Sequence, residues 1–317
     1  MFISHLLNLK NFTAIFIFIC LTLSASAQRR VDFGIAVGAS NYLGDIGGKE
    51  KTRRDFIADI KMAKTRWNAG GFVRFRWMPR ISLKASLDYL RIEGDDKLSS
   101  NPARNARNLS FRNDLIDLGA TGEFFFFEDN DIGNTYFNKT SFRAYVFGGV
   151  GCVYSNPKAL YKGSWVNLRP LQTEGVKYKA FVLNVPVGLG FYFTFKKKNR
   201  IGFEYNFRTT FTDYLDDIHA GWADPSTLTP TGLALSNRTV ELTELDPAFA
   251  KNFGYNPVEN PTNLRGNNKH RDSYMTLNIS YSYVLRGKPS FYKGYYKSTT
   301  GGFFGRPGKS RKVRAKF

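Results

Sequence analysis

The segment Phe181–Phe195, FVLNVPVGLGFYFTF, is the most hydrophobic stretch of the chain after residue 27. Pro186, Gly188 and Gly190 interrupt it, which argues against a hydrophobic helix. A period of two over this length is typical of a β-strand, and of one longer than soluble sheets usually need. The apolar residues alternate with polar or small ones and are Phe181, Leu183, Val185, Val187, Leu189, Phe191 and Phe193.

Seven other segments repeat this alternation, with apolar residues on one face and polar residues or glycine on the other. Their apolar faces begin at Val31, Trp67, Leu83, Ile116, Phe142, Ile201 and Met275. Eight is an even number of strands, as single-chain transmembrane barrels favour. The pattern therefore predicts an all-β fold.

The connections between these segments alternate between short and long. The short or moderate ones are 78–80, 128–140 and 196–200, and the long ones are 41–66, 92–113, 155–177 and 212–270. Outer-membrane barrels have this asymmetry, with short periplasmic turns and long extracellular loops. We therefore predict an eight-stranded antiparallel transmembrane β-barrel of the OmpA-like type. The loop 212–270 contains five prolines and is expected to be irregular, and to lie over the barrel mouth.

Aromatic residues flank the apolar face and are expected to form the girdles at the two membrane interfaces. They are Trp67, Trp77, Tyr89, Tyr192, Tyr281 and Tyr283.

The opposite, polar face carries five acids and five bases, which we predict to pair inside a narrow, closed lumen. The acids are Asp32, Asp88, Asp117, Glu123 and Glu204, and the bases are Arg74, Arg76, Lys84, Arg143 and Arg208. The alternative is a soluble lipocalin-type barrel with its apolar face inward. Eight faces this rich in Phe and Tyr would overfill such an interior.

Residues 1–27 have the features of a secretory signal peptide. Lys10 precedes the apolar run AIFIFICLTL at 14–23, and Ala-Ser-Ala at 25–27 predicts cleavage after Ala27. Cys20 raises a lipoprotein alternative, but Ile19 stands before it where a small residue is needed. We therefore divide the chain into a signal peptide (1–27), an outer-membrane barrel (28–286) and a tail (287–317).

The tail contains nine basic residues and no acidic one, in a chain with 46 Lys and Arg against 26 Asp and Glu. Basic and aromatic residues together would indicate nucleic-acid binding in the cytoplasm, but the signal peptide argues against that compartment. We predict a periplasmic docking arm, and the alternative is a disordered solubilising tail. The docking residues are Phe291, Tyr292, Tyr295, Tyr296, Phe303, Phe304, Arg306, Lys309, Arg311, Lys312, Arg314 and Lys316.

Little in the sequence indicates catalysis, a metal or a cofactor. Two Cys exclude a disulfide framework, and His219 and His270 both fall in the longest loop. Asp213, Asp216 and Asp217 are clustered, but without the spacing of a calcium-binding EF-hand loop. We expect no enzyme activity, no cofactor and no small-molecule substrate, and a structural role for these acids.

Three stretches together resemble the PorG-like outer-membrane barrels of Bacteroidota. They are SNYLGDI at 40–46, NPKALYKGSWVNLRPLQTEG at 156–175 after FGGVG at 147–151, and FTDYLDD at 211–217. The resemblance extends over roughly residues 30–220 and the last strand, and Gln172 departs from the glycine of the family pattern.

This resemblance implies a non-enzymatic outer-membrane component of the type IX secretion system and its gliding machinery. Its implied partners are membrane lipid and a periplasmic ring, formed by a lipoprotein and its partner protein. The motif residues are expected to shape the loops, and are Asn41, Tyr42, Gly44, Asp45, Asn156, Pro157, Trp165, Pro170, Glu174, Gly175, Asp213, Tyr214, Asp216 and Asp217. The alternatives are a generic OmpA-like envelope or adhesion barrel and, less favoured, an outer-membrane enzyme.

Overall fold

The computed structural model describes residues 31–47, 62–99, 101–130, 140–219, 221–254, 264–266 and 271–285. The predicted signal peptide and the predicted docking residues of the tail lie outside these ranges. Among the described residues, no helix is long and apolar enough to cross a membrane.

Eight long antiparallel strands close into a barrel, which confirms the predicted fold. They are β1 (Val31–Leu43), β2 (Arg66–Met78), β3 (Ile81–Asp95), β4 (Ser110–Asp129), β5 (Ser141–Tyr154), β8 (Phe181–Phe195), β9 (Asn199–Thr210) and β10 (Ser273–Leu285). Their order is β3-β2-β1-β10-β9-β8-β5-β4, and pairing of β3 with β4 completes the ring. The first and last strands, β1 and β10, pair along their whole lengths, from Val31 opposite Leu285 to Leu43 opposite Ser273.

Two further strands form a hairpin in the connection after β5. They are β6 (Pro157–Tyr161) and β7 (Ser164–Asn167), and β6 also pairs with the start of β4. Lys162 and Gly163 between them both have positive φ, at 48° and 81°, as a two-residue type I′ turn requires. The hairpin lies within the connection 155–177, where the sequence pattern predicts no strand.

The long loop 212–270 is also more regular than expected. Its described part contains the helices α2 (Pro230–Ser236), α3 (Thr239–Thr243) and α4 (Pro247–Phe253), and α1 (Pro102–Arg107) lies in an earlier loop. Pro230 and Pro247 are the first residues of α2 and α4. The residues directly before them, Thr229 and Asp246, are the N-caps, and proline at the first helical position favours a helix start. The prediction of an irregular loop was wrong because proline at that position favours a helix.

Short 3₁₀ turns complete the secondary structure, at Met62–Lys64, Asp96–Leu98, Arg169–Leu171 and Pro225–Thr227. We call the barrel end with the long connections the loop end, and the other the turn end. The described residues between strands at the loop end (44–47, 62–65, 96–109, 155–180, 211–254, 264–266 and 271–272) are together called the cap.

The apolar face of the strands points outward and the polar face points inward. Ile35, Leu183 and Val150 are 62%, 63% and 67% exposed, whereas Arg74 and Asp117, on the inward face, are buried. Along β4 the outward apolar residues extend from Ile116 to Phe126, which is about the length of strand needed to cross a bilayer. A lipocalin-type barrel has the opposite arrangement, so this is an outer-membrane-type barrel.

Aromatic contacts at the ends of this band lie where girdles are expected, with one exception. The rings of Trp67 and Tyr89 are 5.3 Å apart on the outward face. Tyr192, which we assigned to a girdle, is instead buried in the lumen under the guanidinium of Arg74, 5.0 Å from it. Its even position in β8 sets it on the inward face, so the girdle assignment of Tyr192 was wrong.

Above the band, the inward faces of the strands change from polar to apolar. Leu90 and Ile92 of β3 and Leu115 of β4 are fully buried there and pack with Tyr42 and Ile46. The apolar core of the described chain therefore lies at the loop end, beneath the cap. β4 starts six residues before the predicted Ile116, and β1 continues through Asn41 and Tyr42, which we had assigned to a loop.

Candidate functional site

Arg74 is the centre of the charge network near the turn end of the lumen. Its Nη1 lies 3.2 Å from Asp32 Oδ2 and its Nε lies 2.7 Å from Glu123 Oε2. The guanidinium also donates to the hydroxyl of Tyr145 at 3.4 Å and stacks on Tyr192. All three charged side chains are almost fully buried, so each charge depends on its partners instead of water.

A second set of ion pairs occupies the lumen nearer the loop end. Arg208 lies 2.9 Å from Asp88 and 2.8 Å from Asp117, measured between its guanidinium nitrogens and a carboxylate oxygen of each. Lys84 donates to both oxygens of Glu204 at 2.7 and 2.6 Å. These are inward residues of three strands, β3, β4 and β9, joined across the barrel.

At the turn end the pairing differs from the predicted set. Arg76 and Arg143 pair with Glu128, which the sequence had placed in a connecting segment, and not with one of the five predicted acids. Arg200, also assigned to a turn, lies 2.7 Å from Asp32. Both partners come from strand ends that extend further than predicted.

The lumen is filled by these side chains. The space between Arg74, Lys84, Asp88 and Glu204 has a volume of about 10 Å³, which is room for about one water molecule. A barrel of eight strands is only just wide enough for its own side chains. The arrangement therefore leaves no aqueous channel through this part of the barrel.

The cap is held to the barrel by buried aspartates at the loop end. Asp272 accepts hydrogen bonds from the Tyr42 hydroxyl at 2.6 Å and from the Leu215 amide at 2.9 Å. Asp216 accepts from the amides of Ile46 and Ile218 at 3.2 and 3.0 Å. The start of β10, the end of β1 and the loop after β9 are joined through these two carboxylates.

These carboxylates have altered acidities because they are buried close together. Burial, and then the nearby charge of Asp45, raise the pKa of Asp216 to about 7. Burial also raises the pKa of Asp272 well above its usual range. Near neutral pH, the cap is therefore able to hold one of its carboxyls protonated.

A second group of contacts surrounds Asp217. Its carboxylate accepts hydrogen bonds from the hydroxyls of Thr173 and of Tyr178, the latter at 2.6 Å. Arg265 donates to the backbone oxygen of Asp217 at 2.7 Å and pairs with Glu174 at 2.8 Å. Burial raises the pKa of Asp217 to about 6, although the Arg265 charge opposes this.

The third group links α1 to the end of β1. Arg107 pairs with Asp96 at 2.7 Å and donates to the backbone oxygens of Asp45 and Arg265. Asp96 in turn accepts a hydrogen bond from the amide of Gly47 at 2.9 Å. Three separate connections, those after β1, β3 and β9, thus meet at Arg107.

Asp213 and His219 of the cap form a His–Asp pair of the kind found in catalytic triads. His219 Nδ1 lies 2.8 Å from Asp213 Oδ2, and the imidazole stacks near Tyr214. A hydrolytic triad also needs an aligned nucleophile. Within the described ranges, no group of three His, Cys, Asp or Glu side chains is arranged to hold a metal ion.

The remaining motif residues are spread over the cap. Asn41 donates to Thr65 at 2.9 Å, and Asn156 to Asn167 at 3.1 Å. Pro157 is buried at the start of β6, Trp165 is exposed on β7, Pro170 is in the turn Arg169–Leu171, and Gly175 has a φ of 71°. A Cβ on Gly44 would lie 1.9 Å from the Tyr42 hydroxyl, so glycine leaves room for the Tyr42–Asp272 contact.

Sequence reasoning missed half of the contacts that hold the cap. Asp272 and Arg265 lie 230 and 91 residues from the Tyr42 and Glu174 that they contact, so no local spacing could reveal them. Asp96 and Arg107 offered a weak signal, since both flank a recognisable helix start, Asn101-Pro102.

Three solved barrel structures are similar to this chain in outline. The N-terminal β-barrel domain of OprF from Pseudomonas aeruginosa is 9% identical, with a TM-score of 0.34 over 81% of this chain and 98% of that one. OprG of the same organism is 9% identical, with a TM-score of 0.35 over 82% and 99%. Ail of Yersinia pestis, in complex with the heparin analogue sucrose octasulfate, is 9% identical, with a TM-score of 0.32 over 81% and 99%.

Two comparisons of sequence complete the picture. No curated protein matches the chain. A family profile described as "Domain of unknown function (DUF6089)" matches residues 9–229, more than two thirds of the sequence.

Proposed function

This chain belongs to the DUF6089 family, and we propose that it is a non-conducting, non-enzymatic outer-membrane barrel of the type IX secretion and gliding machinery. The fold supports the first part of this proposal, the outer-membrane barrel. The place in a secretion apparatus rests on the PorG-like motifs at 40–46, 156–175 and 211–217.

The filled lumen is the observation that carries the non-conducting role. Arg74, Lys84 and Arg208 occupy the lumen and each is paired with buried carboxylates. A porin needs a water-filled interior, which an eight-stranded barrel packed in this way does not provide. A barrel that neither conducts nor catalyses is suited to anchoring other proteins at the membrane.

The motif residues support a structural role. Tyr42, Asp216 and Asp217 use their polar atoms in hydrogen bonds that join one loop to another. Such contacts fix the shape of the cap and leave little capacity for a substrate. This arrangement favours a binding or scaffolding protein over an enzyme.

The expected orientation sets the cap outside the cell, and the turn end with both termini in the periplasm. Arg80 and the consecutive lysines Lys196, Lys197 and Lys198 make the turn end basic. The tail 287–317 adds nine basic residues and seven aromatic ones. An acidic surface on the ring lipoprotein or its partner protein would complement these charges.

Deletion of residues 287–317 in the producing organism tests this proposal. We expect lower secretion and less ring protein recovered with the barrel after crosslinking. A matched control variant replaces the aromatic residues of the tail by alanine and keeps its charge, which separates anchoring from electrostatic steering. Unchanged secretion together with unchanged ring recovery would remove the docking arm from the proposal.

A generic envelope or adhesion barrel is the second candidate, and one observation favours it. Val240 and Leu245, in and just after α3, are 65% and 82% exposed and would offer apolar contacts to a ligand at the cell surface. Removing residues 220–268 should then abolish surface binding but leave secretion unchanged. Loss of secretion on this deletion, with a folded barrel, would favour the secretion role of the cap.

A further inference from the structure

The hairpin β6–β7 continues the barrel wall at the loop end, outside the apolar band of the strands. Lys158 of β6 pairs in register with Arg112 of β4, so the outward row of β4 continues onto the hairpin. The opposite face of the hairpin is occupied, because Ala159, Tyr161 and Val166 pack on the core beneath the cap. Only the outward face of the hairpin is left for a ligand.

That outward face combines basic groups with exposed apolar side chains. Leu160 and Trp165 lie opposite each other in the hairpin and are 43% and 45% exposed. The Arg112 guanidinium lies 4.5 Å from the centre of the Trp165 ring. A cation stacked on an indole, beside an aliphatic side chain, is typical of residues at a membrane interface.

The height of this face above the lipid band can be worked out from β4. Arg112 precedes Ile116, the first outward apolar residue of the band, by four residues. Four residues of strand span about 13 Å, or about 10 Å along the membrane normal at a tilt of about 40°. The headgroup layer extends about 5–8 Å beyond the hydrocarbon core, so Arg112 lies at the outer edge of the headgroups.

The charge around the hairpin is strongly positive. Between residues 155 and 180 the chain carries five basic residues and one acid, Glu174, which is turned inward to Arg265. Asp114 is the acid nearest to Arg112, at 3.4 Å, and it is also held by Arg91 at 2.6 Å. The charge of Arg112 is therefore only partly compensated, because Asp114 is shared with Arg91.

We propose that the outward face of Arg112, Lys158, Leu160 and Trp165 binds the phosphate-bearing headgroup of an outer-leaflet lipid. Arg112 and Lys158 pair with the phosphate, and Leu160 and Trp165 pack against the sugar or glycerol of the headgroup. The face is continuous with the lipid-facing band, which favours a lipid over a protein partner. The inference depends on membrane insertion of the barrel and is independent of the secretion role.

The test compares lipid binding by the full chain and two double variants, using native mass spectrometry of detergent-purified protein. The probes are diphosphoryl lipid A, which is anionic, and phosphatidylcholine, a zwitterionic reference with no net charge. One variant is Arg112→Gln with Lys158→Gln. The matched control is Lys196→Gln with Lys197→Gln, which removes the same charge from the exposed turn at the opposite end.

We expect the preference for lipid A over phosphatidylcholine to fall about thirtyfold in the hairpin variant and to stay unchanged in the control, as two basic residues near an anionic surface would give. Trp165→Ala should weaken binding of both lipids. The proposal is overturned if the hairpin variant keeps its preference, or if both variants lose it equally. A change in oligomeric state of the hairpin variant, with lipid preference intact, would assign the face to a second copy of the chain and also overturn the proposal.

Discussion

The buried pair of Arg74 and Glu123 offers the sharpest test of the closed lumen. Arg74→Met keeps most of the side-chain volume but removes the charge. Asp32 would keep Arg200 at 2.7 Å and the Ser282 hydroxyl at 3.1 Å. Glu123, which is fully buried and paired with Arg74 at 2.7 Å, would lose its direct partner.

The size of the effect follows from that difference. Removing one member of a buried ion pair costs about 3–5 kcal/mol, because the other charge is left uncompensated. Glu123→Gln should cost less, about 1–2 kcal/mol, since Arg74 keeps Asp32 and Tyr145. In the double variant neither charge remains, so we expect about 1–2 kcal/mol of destabilisation and a coupling energy of about 3 kcal/mol.

The assay is urea unfolding of the protein reconstituted in lipid vesicles, followed by tryptophan fluorescence and gel mobility. The matched control cycle uses Arg238 and Glu241 of the cap, a pair whose Glu241 side chain is 47% exposed, where we expect a coupling below about 1 kcal/mol. If the double lumen variant is as unstable as the sum of its two single variants, the pairing argument for the lumen is refuted.

Three further predictions concern the cap, the lipid face and the lumen wall. Burial raises the pKa of Asp216 to about 7, so its carboxyl binds a proton more readily in the folded cap than in the unfolded chain. The free energy of unfolding of the cap should therefore fall as pH rises from about 4 to 7 and level off above. Hydrogen exchange of the Ile218 amide, corrected for intrinsic rates, should then be slower at pH 5 than at pH 8. Asp216→Asn should flatten this trend. Ile35→Lys, on the outward face, should destabilise the reconstituted barrel by about 2–4 kcal/mol, and a neutral effect would indicate a watery surface there. Gly149→Ala should destabilise the barrel in the same assay, because its Cβ would lie 2.1 Å from a backbone oxygen of the neighbouring strand. The control Gly122→Ala, whose Cβ would lie 3.9 Å from the nearest atom, should be neutral. Equal effects of the two substitutions would contradict this view of the packing.

The barrel was predictable from sequence because its signal is local. Alternation with a period of two sets the face of every residue in a strand, so Asp32, Arg74 and Glu204 could all be assigned to the lumen. The same rule would have set Tyr192 inside, and only its aromatic ring suggested a girdle. Strand ends such as Glu128 were missed because the alternation is interrupted by a bulge between Phe125 and Phe127.

The cap was much less predictable because its contacts join residues far apart in sequence. The motif residues Tyr42 and Asp216 were predicted to shape the loops, but the partners that they contact could not be deduced. The helices of the long loop had a local signal, in the pairs Thr229-Pro230 and Asp246-Pro247. We instead interpreted these prolines as a sign of irregular chain. Proline after an N-cap residue should be interpreted as a helix start before it is interpreted as irregular chain.

The pairing of β1 with β10 constrains how this molecule is made. The two strands that close the cylinder lie at opposite ends of the barrel sequence, with Val31 opposite Leu285. The ring cannot be completed until nearly all of the polypeptide has been synthesised and exported, which gives assembly an unusually non-local character. Until that pairing forms, the apolar outward faces of the strands do not belong to a closed barrel, so an incomplete chain in water would be prone to aggregate.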